Sequence, residues 1–216
     1  MPIKFILFGN MCSGKTTVGQ ILKNESGYVV VSAKDVILSN LDSASDDVKM
    51  LRTKGALLPD DLVMSWYFSE VDAQLEKGKP VILDGFPRTE MQARQLMQEY
   101  GDLGKMVYLD FDMDVLRRRF DNRIMCDTCE MPYSRLFSDF DYECLYCGNH
   151  EFSPRPTDRP DYFDVKTSQF NSISMRLLPL LQSAGLEFVT LQDHSRFAGL
   201  RKEVITKLAK GAGYGD

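Results

Sequence analysis

The stretch Gly9-Asn10-Met11-Cys12-Ser13-Gly14-Lys15-Thr16-Thr17 constrains this chain more than any other. It reads Gly, four residues, then Gly-Lys-Thr. The apolar run Ile3–Phe8 precedes it, and Val18, Ile21 and Leu22 follow at helical spacing. Strand, glycine loop and helix in that order make a phosphate-binding P-loop. Gly9 and Gly14 lack a Cβ, so the chain can turn sharply and set successive N–H groups around an anion at a helix N-terminus. In such a loop Lys15 reaches the β- and γ-phosphates of a nucleotide, and the Thr16 hydroxyl faces Mg²⁺. A plain glycine turn between a core strand and a helix would require neither Lys15 nor Thr16.

Further strand-like runs follow at Tyr28–Val31, Val81–Leu83, Met106–Phe111 and Leu186–Leu191, with helical patterns between them. That alternation predicts an α/β fold, a five-stranded parallel sheet flanked by helices. A helix is expected from about Asp60, after Pro59, with Met64, Tyr67, Phe68, Val71 and Leu75 on its apolar face and Gly78 at its end. Thr89 and Gln92 have capping-box spacing. Phe163, Phe170, Ile173, Leu177 and Leu181 mark a later helix, which Pro179 should bend near its end. Two segments fall outside the alternation. Ser32–Val63 is polar and helical, and Cys126–Pro156 is helix-poor and carries cysteine pairs.

The pairs are Cys126/Cys129 and Cys144/Cys147, fourteen residues apart. Two such knuckles predict a four-thiolate zinc site, closed and therefore structural. The segment has few apolar residues for a core of its own, so the metal is expected to supply its folding energy. Cys12, the fifth cysteine, reads as a small loop filler. The net charge of −5 argues against a general nucleic-acid surface. No apolar run reaches membrane-spanning length, and the first is too short for a signal peptide. A cytoplasmic protein with no membrane or nucleic-acid partner is expected.

Asp84-Gly85-Phe86-Pro87-Arg88-Thr89 follows a strand, where open α/β sheets place ligands. Asp84 is a candidate Mg²⁺ carboxylate, and Arg88 offers a planar fork for a phosphate. Arg117, Arg118, Arg119 and Arg123 are expected on one helix, with Arg119 and Arg123 sharing a face that a polyphosphate would neutralise. His150 and His194 have no partner at ligand spacing and receive no role.

With these motifs the chain resembles adenylate kinases and related nucleoside monophosphate kinases of the type with a zinc-bearing lid. The resemblance rests on the P-loop, on Gly55-Ala56-Leu57-Leu58-Pro59-Asp60-Asp61-Leu62-Val63, and on Leu83–Thr89 with Gln92. It also rests on Arg119 and Arg123 ahead of Cys126, on Arg155 after the second knuckle, and on Pro179. It implies a core of residues 1–31, 64–123 and 157–216, an acceptor-nucleotide flap at 32–63 and a zinc-binding lid at 124–156. It implies donor binding by Gly9 to Thr17, Asp84 and Arg119, with the backbone near Ser195 meeting the adenine. Acceptor binding falls to Ser32, Asp35, Leu58, Gly85, Arg88 (phosphate) and Gln92 (base). The catalytic set becomes Lys15, Arg88, Arg123, Arg155 and Lys166. Mg²⁺ with ATP, a structural Zn²⁺, ATP and a nucleoside monophosphate as partners, and a monomeric state complete what it implies.

The departures lie mainly on the acceptor side. Ala33 and Leu38 stand where such kinases usually carry Thr and Arg, Lys166 and Ile124 stand where Arg is usual, and Asn10-Met11-Cys12 replaces Pro-Pro-Gly. A lysine offers a point charge where arginine offers a fork. The expected reaction is phosphoryl transfer from Mg-ATP to a nucleoside monophosphate, AMP first. Such an acceptor is already anionic near neutral pH and needs no general base. One rival is a kinase acting on a hydroxyl, with Asp35 as base. A second is a non-catalytic nucleotide-binding protein whose zinc knuckle contacts a partner or RNA, the latter opposed by the acidic net charge.

Overall fold

The computed structural model describes residues 3–54, 56–101, 103–155 and 158–209. In chain order the elements are β1 (Ile3–Gly9), α1 (Lys15–Ser26), β2 (Val29–Ser32), α2 (Ala33–Leu41), α3 (Asp46–Thr53), α4 (Asp60–Glu76), β3 (Val81–Asp84) and α5 (Glu90–Tyr100). There follow β4 (Lys105–Leu109), α6 (Met113–Asp121), β5 (Arg123–Cys126), β6 (Pro132–Ser134), β7 (Phe152–Ser153), α7 (Pro160–Ser183), β8 (Glu187–Thr190) and α8 (Phe197–Leu208).

Five strands form the parallel α/β sheet expected from the alternation, in the order β2-β3-β1-β4-β8. In β1 every residue but Lys4 is buried, and Val81, Ile82 and Leu83 of β3 are fully buried. Such continuous apolar runs are what a sheet covered on both faces demands. The strand order reverses at β1, the kind of position where ligands bind beyond the strands' carboxyl ends. Asp84 ends β3 opposite Leu7 of β1 and Ser32 of β2. The second strand runs one residue later than expected, and the fourth stops at Leu109, two residues short of Phe111.

The chain divides into two compact units. The first comprises residues up to Phe8, Gly27–Val107 and Ile173–Val189, and holds most of the sheet. Within it, α4 begins at Asp60 as expected and buries Met64, Tyr67 and Val71. The Tyr67 hydroxyl donates to Val31 O at 2.7 Å, and its ring stacks on Phe86 with centroids 4.2 Å apart. A buried tyrosine needs such a partner for its hydroxyl. Burial pushes the Tyr67 pKa well up, so the hydroxyl remains a donor. Phe86 is thereby anchored inside the Asp84–Arg88 stretch.

The second unit comprises Gly9–Ser26, Tyr108–Ser172 and the chain from Thr190 on. Here α1 packs against α8, and Arg201 of α8 pairs with Glu25 of α1. Leu116 and Phe120 of α6 and Phe163 of α7 form a small core against Met11, Cys12, Phe111 and Tyr162. Pro179 lies inside α7, which continues to Ser183.

Residues 123–153 build a three-stranded antiparallel sheet, β6-β5-β7, with Arg123 opposite Ser134 and Met125 opposite Ser153. The expectation that this segment lacks a core needs correction. Tyr133 stacks on Phe140 at 5.0 Å, Phe152 meets Tyr133 edge-on at 5.1 Å, and Tyr142 packs on Phe140 at 4.8 Å. Four aromatic rings, far apart in sequence, supply a large apolar surface in few residues.

A second correction concerns the arginines. Helix α6 ends at Asp121, Asn122 leaves helical geometry with φ −109° and ψ 10°, and Arg123 opens β5. Arg119 and Arg123 therefore do not share a helix face, and their side chains find separate partners.

Candidate active site

The P-loop geometry explains its glycines. A Cβ on Gly9 would lie 2.7 Å from Ser13 Oγ and 2.8 Å from Leu109 O. Gly14 has φ 96°, a region that penalises any Cβ. Cys12 also has positive φ, 59°, where a side chain costs about 1 kcal/mol. Asn10 is buried, and its Oδ1 accepts from Met11 N at 2.8 Å.

Lys15 curls back over the loop. Its Nζ donates to Gly9 O at 2.7 Å and Asn10 O at 2.8 Å. Arg119 reaches the same loop from α6, donating to Ser13 O at 3.1 Å and Cys12 O at 3.3 Å. It also pairs with Asp193 and lies 4.3 Å from the centroid of the Phe111 ring. Arg123 Nε donates to Asp158 Oδ2 at 2.7 Å in a two-pronged pair that is largely buried. Burial works against the Arg123 charge, but the bond to Asp158 outweighs it and the pKa rises. Burial pushes the Cys12 thiol up, against the opposing pull of Arg123, Lys15 and Arg119. A neutral thiol suits the role of loop filler.

Lys15, Thr16, Arg119, Arg123, Tyr133 and Phe137 are among the residues lining a cavity of about 530 Å³ that Gln192–Ser195 also border. That is room for a nucleotide-sized ligand. Arg155 and Lys166 do not line it. The Arg155 carbonyl accepts from Asp158 N at 2.9 Å, and Lys166 Nζ donates to Gln169 Oε1 at 3.2 Å on α7. Thr16 and Thr17 lie in the first turn of α1, with the Thr16 residue exposed. A hydroxyl there, beside a phosphate-shaped loop, fits a hydrated Mg²⁺, which prefers few protein oxygens.

The 193–195 segment is tied down in ways the sequence did not announce. Ser195 O accepts from Ser138 N at 3.0 Å. Asp139 accepts from Phe197 N at 2.7 Å and Ala198 N at 3.0 Å, supplying the cap that Arg196, the N-cap of α8, lacks. Burial raises the Asp139 pKa, but those backbone donors together prevail and lower it. His194, given no role from sequence, pairs through Nε2 with Glu203 at 2.8 Å, and Glu203 also accepts from Gln192 N at 3.0 Å. Glu203 is pushed up by burial but held down overall by its bonds to Lys207, His194 and Gln192 N.

The four paired cysteines converge. Their Sγ atoms all lie within 4.8 Å of one another, with Cys126–Cys147 and Cys129–Cys144 each at 3.5 Å. Tetrahedral Zn–S bonds of about 2.3 Å put sulfurs roughly 3.8 Å apart, so the set fits zinc. Outer contacts orient two of them. Tyr133 Oη lies 3.4 Å from Cys144 Sγ and accepts from Leu145 N at 2.9 Å, and Asn149 Nδ2 lies 3.6 Å from Cys126 Sγ.

The expected acceptor residues lie in the first unit. Gly85 has φ 75°, and a Cβ there would come 3.1 Å from Arg88 Nη2. Arg88 is exposed, with Nε donating to Gly85 O at 2.7 Å. Ala33 packs beside Gly85, 3.7 Å from that Cβ position, while Leu38 is exposed. Leu58 is buried, and Ser32 caps α2 by accepting from Asp35 N at 3.4 Å. The capping box is half formed: Thr89 Oγ1 accepts from Gln92 N at 3.1 Å, but Gln92 Oε1 accepts from Arg88 N at 2.7 Å rather than from Thr89 N.

Comparison with known proteins agrees with this architecture. The adenylate kinase family model matches residues 7–185. The chain is 29% identical to an adenylate kinase of Novosphingobium aromaticivorans over 193 residues, covering 85% of this chain and 89% of that one. It is 26% identical to one of Dehalococcoides mccartyi over 214 residues, 95% and 98% of the two chains. It is 32% identical to one of Enterococcus faecalis over 193 residues, again 85% and 89%. With a glycine loop closed on Lys15 and Arg119 and a family match running over residues 7–185, most of its length, the chain belongs to the adenylate kinase family.

Proposed function

We propose that this protein transfers the γ-phosphoryl group of Mg-ATP to AMP, giving two molecules of ADP. The observation that carries the reading is the convergence of Lys15 and Arg119 on the P-loop carbonyls inside a nucleotide-sized cavity. Several groups on this chain act on the donor. Loop N–H groups cradle its phosphates, Lys15 and Arg119 neutralise charge on them, and Thr16 holds Mg²⁺. Mg²⁺, when bound, supplies further neutralisation of the triphosphate. Arg123, fixed by Asp158, adds a rigid fork. The acceptor half is Arg88 for the phosphate and Gln92 for the base, with Gly85 giving Arg88 its approach and Ser32, Asp35 and Leu58 around it. Because the acceptor is already anionic, the residues need only position and neutralise.

Residues 32–63 and 124–156 are read as the flaps of acceptor and donor, with Zn²⁺ on the four cysteines holding the second. Arg155 and Lys166 are read as further cations for the transferring group, and Asp84 as a Mg²⁺ carboxylate. Among the described residues no helix is long and apolar enough to cross a membrane. A cytoplasmic monomer without nucleic-acid partners is the reading we adopt. The hydroxyl-kinase alternative is disfavoured, because Asp35 is exposed in the first turn of α2, an ordinary place for a helix-starting acid.

The test is ADP production with Mg-ATP against AMP, GMP, CMP, UMP, dTMP and buffer alone. Turnover with AMP is expected, falling by about 10²–10³-fold in Lys15→Ala, the scale of losing one charge-stabilising donor. Silence with every acceptor while ATP still binds would overturn the reading.

A further inference from the structure

Asp60 opens α4, where an acidic residue ordinarily does no more than favour the helix N-terminus. Its carboxylate instead reaches the start of α5. Oδ2 accepts from Thr89 Oγ1 at 2.8 Å, and Oδ1 accepts from Gln92 Nε2 at 2.7 Å. The opposite end of the same amide, Oε1, accepts from Arg88 N at 2.7 Å. Gln92 is only 4% exposed, so leaving its amide without a partner is costly.

These bonds fix which way the amide faces. A carboxylate can only accept and a backbone N–H can only donate. Turning the Gln92 amide over would set Oε1 against the carboxylate and Nε2 against the Arg88 N–H, two mismatches in a buried place. The amide keeps one hydrogen and one oxygen lone pair beyond those already engaged. An adenine offers an amino donor at position 6 beside an acceptor at N1. A 6-oxo purine offers the reverse, an acceptor at position 6 beside an N1–H donor. A glutamine that could turn over would serve both bases, whereas one held in a single orientation serves one order of donor and acceptor.

We infer that Asp60 is a positioning residue that determines acceptor specificity: by holding the Gln92 amide in one orientation it commits the acceptor site to a 6-amino purine over a 6-oxo purine. This rests on the nucleotide-kinase reading, in which Gln92 meets the acceptor base. Part of the discrimination then comes from a residue that touches only the residue that reads the base.

The experiment compares kcat/KM for AMP and for IMP, with KM for ATP alongside, in the wild type, Asp60→Ala and Asp60→Asn. Removing the carboxylate leaves the Arg88 N–H as the one restraint on the amide. The preference for AMP over IMP should fall by about tenfold, the effect of one charge-assisted hydrogen bond. Asp60→Asn keeps the shape but can donate as well as accept, so it should move the ratio the same way. KM for ATP should stay within about twofold, since an acceptor-base effect leaves the donor untouched. If Asp60→Ala does not fold, Asp60→Asn carries the test. Equal losses for AMP and IMP, with the ratio unchanged, would overturn the inference and leave Asp60 as a helix-starting acid. A wild type inert towards both acceptors would overturn the kinase reading and this inference with it.

Discussion

Removing the Asp139 carboxylate should loosen the hold of the four-cysteine segment on the start of α8, where Ser138 N to Ser195 O remains as a second tie. Two backbone N–H groups at the start of α8, those of Phe197 and Ala198, find their acceptors in this side chain, 58 and 59 residues away in sequence. Arg196, in the N-cap position, contributes no side-chain bond. Asp139→Ala therefore removes the cap outright, and cap removal costs about 1–2 kcal/mol. In a domain of this size that lowers Tm by roughly 3–6 °C. Asp139→Asn keeps one acceptor oxygen and loses the charge, so about half the effect is expected. The pH dependence has a definite sign. The folded Asp139 pKa lies below its ordinary value of 3.8, so its stabilisation is complete above that value and fades as pH falls through the folded pKa. The Tm gap between wild type and Asp139→Ala should thus be full at neutral pH and close below about pH 4. Calorimetry on the zinc-loaded protein measures the gap, and hydrogen exchange at the Phe197 and Ala198 amides locates it. A gap under about 0.3 kcal/mol at neutral pH, with unchanged protection of both amides, would refute the capping argument.

Three further outcomes are expected. Cys144→Ser should lower bound zinc, measured by elemental analysis, and should unfold residues 123–153 at a lower temperature, because a closed thiolate site contributes directly to folding. Gly85→Ala forces a side chain to φ 75° beside Arg88 Nη2; it should cost about 1 kcal/mol and raise KM for the acceptor more than KM for ATP in steady-state assays. Cys12 in zinc-loaded protein should react with iodoacetamide more slowly than a free thiol at pH 8, its rate still rising above pH 9 when followed by mass spectrometry.

What the sequence revealed was whatever is written in short stretches. The P-loop encodes its own backbone, so Gly9, Gly14 and Lys15 could be read directly, and the Cys-x₂-Cys spacing likewise carried its ligands. Buried strands announced themselves because both faces are apolar. Side-chain partners far apart in the chain were not legible. Nothing near Asp139 points to Phe197, nor anything near Arg123 to Asp158. The Arg119/Arg123 spacing misled because one residue, Asn122, ends the helix between them. The aromatic core of residues 133–152 was hidden by the acidic residues interleaved with its rings. Gln92 had the right spacing for a capping box, but Arg88 N, four residues back, and the distant Asp60 claimed its amide.

Lys15 and Arg119 both donate hydrogen bonds to the loop's own carbonyl oxygens. On the proposed reading, an incoming triphosphate takes these cations over from Gly9, Asn10, Cys12 and Ser13, and takes Arg119 from Asp193 as well, so its affinity is the difference between two sets of bonds. The loop works as an ion exchanger charged with an internal anion-like lining. Substitutions that redirect those carbonyls, at Asn10 or Cys12 for example, would tune nucleotide binding through the strength of the competitor as well as through the N–H groups, because each carbonyl shares a planar peptide with the next N–H.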